Sequence, residues 1–180
     1  MNLIIFGPPG AGKGTQSDYI VKKYNLLQIS TGKILRDEIK NKTELGNRIS
    51  TLMSSGSLVD DIVVNKLIEN IVSDKKNANK FIFDGYPRNL NQANNLDNLL
   101  KKNEQKIDVV LKLSVSLETI KKRISERQAL EKRPDDNAEI AIKRFKTYEK
   151  STEPVIEFYK KLNLLRVIDG ERSIDQINKE

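Results

Sequence analysis

The chain sets down its apolar residues in short dense blocks, and longer helix-like stretches of mixed polarity separate them. The blocks are "NLIIF" (2–6), "LLQIS" (26–30), "KFIFD" (80–84), "IDVVLKL" (107–113) and "LLRVID" (164–169). Each reads as a strand. Between them helices are expected at about 13–24, in two or three patches across 31–73 with a break at "SSGS" (54–57), at about 89–102 and at about 117–128. The polar segment "ALEKRPDDN" (129–137) is expected to be a loop. One long helix should then run to about Leu162, with Pro154 as a kink, since proline has no backbone N–H to donate. A short helix closes the chain.

Strands that alternate with helices, without a hairpin signal, argue for βαβ units and a parallel sheet. The unbroken runs "LIIF", "FIF" and "VVL" fit strands covered on both faces. The helical excursion between the second and third strands is too long for a simple crossover, so a helical flap is expected there. At 180 residues, without an internal repeat, the chain fits one domain with small insertions.

Chemistry begins at "GPPGAGKGT" (7–15), between the first strand and the first helix. Gly7, Gly12 and Lys13 fit G-x-x-x-x-G-K, in which glycine lets successive backbone N–H groups approach an anion at a helix N-terminus. Lys13 then reaches the outer phosphates as a point charge. The general pattern has a hydroxyl directly after the lysine. Here Gly14 stands there and Thr15 follows one place later. The loop is read as a cradle for nucleotide phosphates.

Asp84 ends the apolar strand of "FIFDGYPR", where a parallel sheet opens its ligand crevice. Its carboxylate suits a magnesium ion, held directly or through water. Gly85 and Pro87 shape a turn that aims Arg88 across the crevice. Arg123 and Arg127 lie four apart on one predicted helix and share a face. Arg133 follows in the polar loop and Arg144 on the next helix. Guanidinium forks grip phosphate oxygens two at a time, so this set suits a highly charged transition state. Asp135 and Asp136 either cap the following helix or join that cluster.

Composition narrows the field. Hydrophobic residues make up 37% and charged residues 32%, which fits a globular chain rather than a disordered one. No apolar run approaches the roughly 20 residues of a membrane span. No basic region precedes the first strand, so no secretory signal is expected and the cytoplasm is the expected compartment. With no cysteine and no histidine, a thiolate zinc site and a histidine base are both excluded. The net charge of +7 invites a nucleic-acid reading. However, 23 lysines against 9 arginines, scattered rather than blocked, describe a solvated surface, and no aromatic-interleaved basic patch accompanies them. Neither nucleic acid nor membrane is expected as a partner.

The loop, "ISTGKILR" (29–36), "DGYPRNLNQ" (84–92), "RISER" (123–127) and "RPDDN" (133–137) follow one another in an order that resembles the adenylate kinase family from end to end. That resemblance implies an α/β P-loop three-layer fold with a five-stranded parallel sheet. The core would comprise residues 1–29, 60–126 and 138–180, with a helical flap for the nucleoside monophosphate at 30–59 and a lid at 127–137. Only "QALEK" separates Arg127 from Arg133, so the lid is of the short form, without structural zinc. By resemblance ATP would meet Gly10, Ala11, Gly12, Lys13, Gly14 and Thr15, with Arg123 against the adenine and Arg127 on phosphate. The backbone of Arg172 would also meet the adenine. AMP would meet Thr31 and Gln92 at the base, Ser57, Leu58 and Val59 around it, and Arg36 and Arg88 at the phosphate, beside the turn Gly85, Tyr86 and Pro87. Arg133 and Arg144 would bridge the two nucleotides. Lys13, Arg88, Arg127, Arg133 and Arg144 would carry catalysis, and magnesium would be held at Asp84 through water.

The implied reaction is MgATP + AMP ⇌ MgADP + ADP by a monomer. A short lid is shared with UMP–CMP kinases, and Asn89 after "PR" resembles those enzymes, whereas Thr31 and Gln92 favour AMP. An ATP-driven switch is the more distant alternative.

Overall fold

The computed structural model describes residues 1–131 and 136–180, and its order of elements is β1 (Leu3–Phe6), α1 (Lys13–Tyr24), β2 (Leu27–Ser30), α2 (Thr31–Lys40), α3 (Glu44–Ser54), α4 (Asp61–Val72), β3 (Phe81–Asp84), α5 (Leu90–Lys102), β4 (Val109–Ser114), α6 (Leu117–Glu131), α7 (Ala138–Ser151), α8 (Glu153–Lys161), β5 (Leu165–Asp169) and α9 (Ile174–Asn178). The five strands form one sheet in the order β2-β3-β1-β4-β5, and every pairing is parallel. All five carboxyl ends therefore open on the same edge, where the loops after β1 and β3 meet.

Side-chain alternation along the strands divides the core. Ile4, Phe6, Phe81 and Phe83 join helices α2, α4, α5 and α8 on one face of the sheet, and Leu3, Ile5 and Ile82 join α1 and α9 on the other. Complete burial of side chains such as Phe83 and Ile82 contributes about 1.5–3 kcal/mol each, and both faces of β1 and β3 are sealed. Strand β4 departs from expectation. Only Val110 of "VVL" is fully buried, because its neighbour β5 is an edge strand with Arg166 and Val167 exposed. At the opposite end of the sheet Asn2 is fully buried and satisfied. It accepts the N–H of Phe81 (3.1 Å) and donates to Gln105 Oε1 (3.1 Å) and the Lys106 carbonyl (3.0 Å), so three segments are tied below the core.

Two expectations fail near the C-terminal third. The single long helix is two helices, α7 and α8, separated at Thr152. Pro154 lies in the first turn of α8, where the missing N–H has no intrahelical partner to lose, so it starts a helix rather than kinking one. Helix α6 also runs on to Glu131, past the expected stop at Gln128, because "ALE" has strong helix formers and nothing that ends a helix. Among the described residues no helix is long and apolar enough to cross a membrane.

Between β2 and β3, where a helical flap is expected, α2 and α3 pack as a pair. Thr43 caps α3 by accepting the N–H of Gly46 (3.0 Å), and its hydroxyl donates to the Glu38 carboxylate. Gly46 lies so close to α2 that a Cβ there would enter the van der Waals envelope of the Glu38 carbonyl. Neither helix can yield without moving the other. Gly46→Ala is expected to lower the unfolding free energy by about 1–3 kcal/mol despite alanine's better helix propensity, as read by denaturant titration. An unchanged or raised midpoint would show that the two helices are not in this contact.

Candidate active site

The loop after β1 is built for an anion. Gly12 caps α1 at φ 91 and offers no side chain, so the first N–H groups of the helix have no side-chain cap. Gly10 turns at φ 83, a conformation that favours glycine, and a Cβ there would lie a tight 3.2 Å from the Ile120 carbonyl. A Cβ on Gly14 would meet nothing within 4 Å, so the space beside it is open. The loop faces a cleft whose wall includes Lys13, Thr31, Arg36, Ser57, Leu58, Val59, Gly85, Pro87, Arg88, Gln92 and Arg144. One cleft thus joins the glycine-rich loop to α2 and to α7.

Lys13 Nζ folds back on the carbonyls of Gly7 (2.7 Å) and Pro8 (3.1 Å). Burial pushes its pKa from the ordinary 10.5 down to about 8; the carboxylate of Asp84 opposes the shift, while Arg88, Arg144 and Arg127 add to it. Four cationic side chains from four segments therefore act on one another around this point.

Asp84 sits at the end of β3 and is 9% exposed. Its Oδ2 accepts from Ser30 Oγ (3.2 Å) and Gln28 Nε2 (3.4 Å), which pins the carboxylate to strand β2. Thr15 presents its hydroxyl in the exposed first turn of α1. Among the described residues no group of three or more histidine, cysteine or acidic side chains could enclose a metal. A cation here must bring water and take its remaining oxygens from phosphates. That donor set fits magnesium.

The turn after β3 is tied internally. Thr31 Oγ1 donates to the Gly85 carbonyl (2.8 Å), and Arg88 Nε donates to the same oxygen (2.7 Å). The Tyr86–Pro87 peptide is cis. Thr152, between α7 and α8, donates to the Arg88 carbonyl (3.0 Å). The side chain of Tyr86, in the turn expected beside AMP, points into the core. It is 1% exposed, its hydroxyl donates to Asn65 (2.7 Å), and burial pushes its pKa up to about 12. Asn89 caps α5 by accepting the Gln92 N–H (2.9 Å) and donates to Asp61, so its identity is explained without a nucleotide.

Of the two uses the sequence offered Asp136, a helix cap or a place in the arginine cluster, the structure shows the second, on Arg127. Asp136 is fully buried; its Oδ2 accepts Arg127 Nε (2.6 Å), its Oδ1 accepts Arg127 Nη2, and Arg144 Nη1 lies 3.7 Å from Oδ1. The helix cap it was a candidate for is provided by Asn137, which accepts the Ile140 N–H (2.8 Å). The bidentate arginine geometry was not readable from spacing, although an acid next to an arginine-rich segment was the available signal. Arg123 lies outside the cleft wall, donating to the Gly170 carbonyl (2.9 Å) and linking α6 to the turn after β5. The side chain of Arg172 in that turn pairs with Asp169 (3.6 Å) and Glu180. Arg133 and Asp135 lie outside the described residues.

The shift at Lys13 has a defined consequence. The unfolded chain keeps this proton to about 10.5 and the folded chain releases it near 8, so this group's contribution to stability rises with pH across that window. Phosphate binding requires the charged form and must run the other way. Affinity for ATP is expected to be about tenfold weaker at pH 9 than at pH 7 by calorimetric titration, and nearly flat with pH in Lys13→Met. An affinity of the unmodified chain that holds constant to pH 9 would remove Lys13 from the phosphate site.

Comparison with known proteins completes the description. Residues 5–164 match the family described as "Adenylate kinase". The adenylate kinase of Pelagibacter ubique (strain HTCC1062) is 46% identical, covering 98% of this chain and 95% of its own. That of Petrotoga mobilis is 38% identical, covering 100% and 95%, and that of Leptospira biflexa serovar Patoc is 45% identical, covering 97% and 94%. The first two alignments extend over 203 and 207 residues, more than the 180 of this chain, whereas the third extends over 175. The P. ubique and P. mobilis proteins therefore carry inserted residues that this chain lacks.

Proposed function

This chain belongs to the adenylate kinase family, and from that premise we propose that it transfers the γ-phosphoryl group of MgATP to AMP, reversibly, giving two ADP. The observation that carries the reading is the shared cleft, in which the phosphate loop and Lys13 face Arg36 and Arg88 of the acceptor side. One bound phosphate chain needs one cradle. Two sets of cations opposite each other suit two nucleotides.

The acceptor phosphate is already ionised, so no general base is required, in agreement with a chain that has no histidine. Catalysis then consists of alignment and charge stabilisation. Lys13 and the loop N–H groups hold the donor phosphates. Arg36 and Arg88 hold the acceptor phosphate, with Thr31 and Gln92 at its base and Ser57, Leu58 and Val59 around it. Arg127, Arg133 and Arg144 neutralise charge on the group in flight, and Asp136 keeps two of them oriented. Asp84 and Thr15 would hold magnesium through its water shell, and the ion would supply charge neutralisation to the donor phosphates. Arg123 and the backbone of Arg172 flank the donor base. Residues 30–59 act as the monophosphate flap and 127–137 as the lid, and together they exclude water, the competing acceptor.

A coupled assay of ADP release from ATP with AMP, UMP or CMP tests the assignment. Fast turnover with AMP is expected, and Lys13→Met or Arg88→Ala should each lower kcat by roughly 10² or more with an intact melting transition. Turnover with UMP or CMP but not AMP would overturn the substrate, and near-full activity of either variant would overturn that residue's role.

A further inference from the structure

The carboxamide of Gln92 sits in the cleft wall, 2% exposed, with both of its polar ends engaged. Its Oε1 accepts the backbone N–H of Arg88 at 2.8 Å, and its Nε2 donates to Asp61 Oδ1 at 2.7 Å. Asn89 is fixed alongside it. Asn89 Oδ1 accepts the Gln92 N–H (2.9 Å), and its Nδ2 donates to both oxygens of Asp61 (2.9 and 3.0 Å). A backbone N–H can meet only an oxygen, and a carboxylate can meet only a donor. Two backbone donors and Asp61 therefore dictate which way each amide is turned. A flipped Gln92 would set its NH₂ against the Arg88 N–H and its oxygen against the Asp61 carboxylate. Two repulsions would replace two bonds.

We propose that Asp61 is a positioning residue for base selection: by locking the Gln92 carboxamide in one orientation it makes the acceptor site prefer a 6-aminopurine nucleotide to a 6-oxopurine one. Asp61 itself does not line the cleft. The locked amide has one N–H and one oxygen lone pair left for a ligand. Adenine offers an amino donor beside a ring-nitrogen acceptor, whereas hypoxanthine presents an oxo acceptor beside a ring N–H donor at the same places. An amide free to turn over serves both patterns; a locked one serves one. The inference rests on the acceptor assignment made above, and it adds to that assignment a residue that touches no nucleotide.

The test is kcat/KM for AMP and for IMP, with ATP as donor, in the unmodified chain, Asp61→Ala, Gln92→Met and the double variant. In Asp61→Ala the AMP-to-IMP ratio is expected to fall roughly tenfold or more, the share of a charge-assisted hydrogen bond, while KM for ATP is unchanged. In the Gln92→Met background, Asp61→Ala should move the ratio less than about twofold, because the residue acts through that amide. Asp61→Asn keeps an acceptor oxygen toward Gln92 and should hold the ratio within about threefold, which also covers a failure of the alanine variant to fold. A ratio in Asp61→Ala within about threefold of the unmodified chain, an equal fall in both backgrounds, or a loss in Asp61→Asn as large as in Asp61→Ala overturns the inference. If the unmodified chain does not use AMP at all, the proposed function falls and the inference with it; AMP turnover with an unmoved ratio overturns the inference alone.

Discussion

One ammonium group held among guanidinium groups sets the terms for this molecule. Lys13 is partly removed from water, and Arg88, Arg127 and Arg144 all raise the cost of its charge. Such an arrangement is unfavourable by itself and must be imposed by something rigid. The sheet imposes it. Lys13 begins α1 directly behind central strand β1, Arg88 follows the neighbouring strand β3, and both strands are sealed on both faces. The energy of burying Ile4, Phe83 and their neighbours holds the cations where an anion would be most strongly stabilised. Function here is a charge deficit that packing keeps open.

Much of this was legible in the order of residue types. Continuous apolar blocks located the five strands, and the glycine-rich loop located the turn between β1 and α1, because both depend on local composition. The helices expected between β2 and β3 are present as α2, α3 and α4 for the same reason. What failed depended on relations between distant segments. Pro154 starts α8 rather than bending α7 because the helix is divided at Thr152, two residues before it, whose hydroxyl donates to the Arg88 carbonyl. Tyr86 was grouped with the acceptor site from its place in "DGYPR", yet its partners Asn65 and Asn95 lie on α4 and α5, and they draw the ring inward. Asn89 resembled a base-selecting residue and is a helix cap.

The acids of the site show why the structure was needed to read them. Asp84 ends β3, Asp61 begins α4 and Asp136 lies two residues ahead of α7, all near the usual places for a cap, and the sequence alone does not separate the three. The contacts do. Asp84 is pinned by Ser30 and Gln28 from the adjacent strand, Asp136 grips the guanidinium of Arg127, and Asp61 gathers two side-chain amides. Capping falls instead to their neighbours Asn137 and Asp60, which take the helix N–H groups and free the acids for longer-range work.

That division of labour bears on how a phosphate could displace so many existing contacts. Lys13 rests on two carbonyls and the Nε of Arg88 on a third, neutral acceptors that a phosphate oxygen outcompetes through charge at those atoms. Arg127 and Arg144 rest on a carboxylate instead, and Asp136 is fully buried beneath them. A guanidinium has five N–H donors, so a fork can stay on Asp136 while its remaining donors face a ligand. In the proposed reaction Lys13 would exchange two neutral carbonyl partners for charged ones when phosphate arrives, whereas Arg127 and Arg144 would keep their anchor on Asp136 and add to it. The exchange would give affinity, and the anchored pair, already oriented, would lose little entropy on meeting charge that develops during transfer.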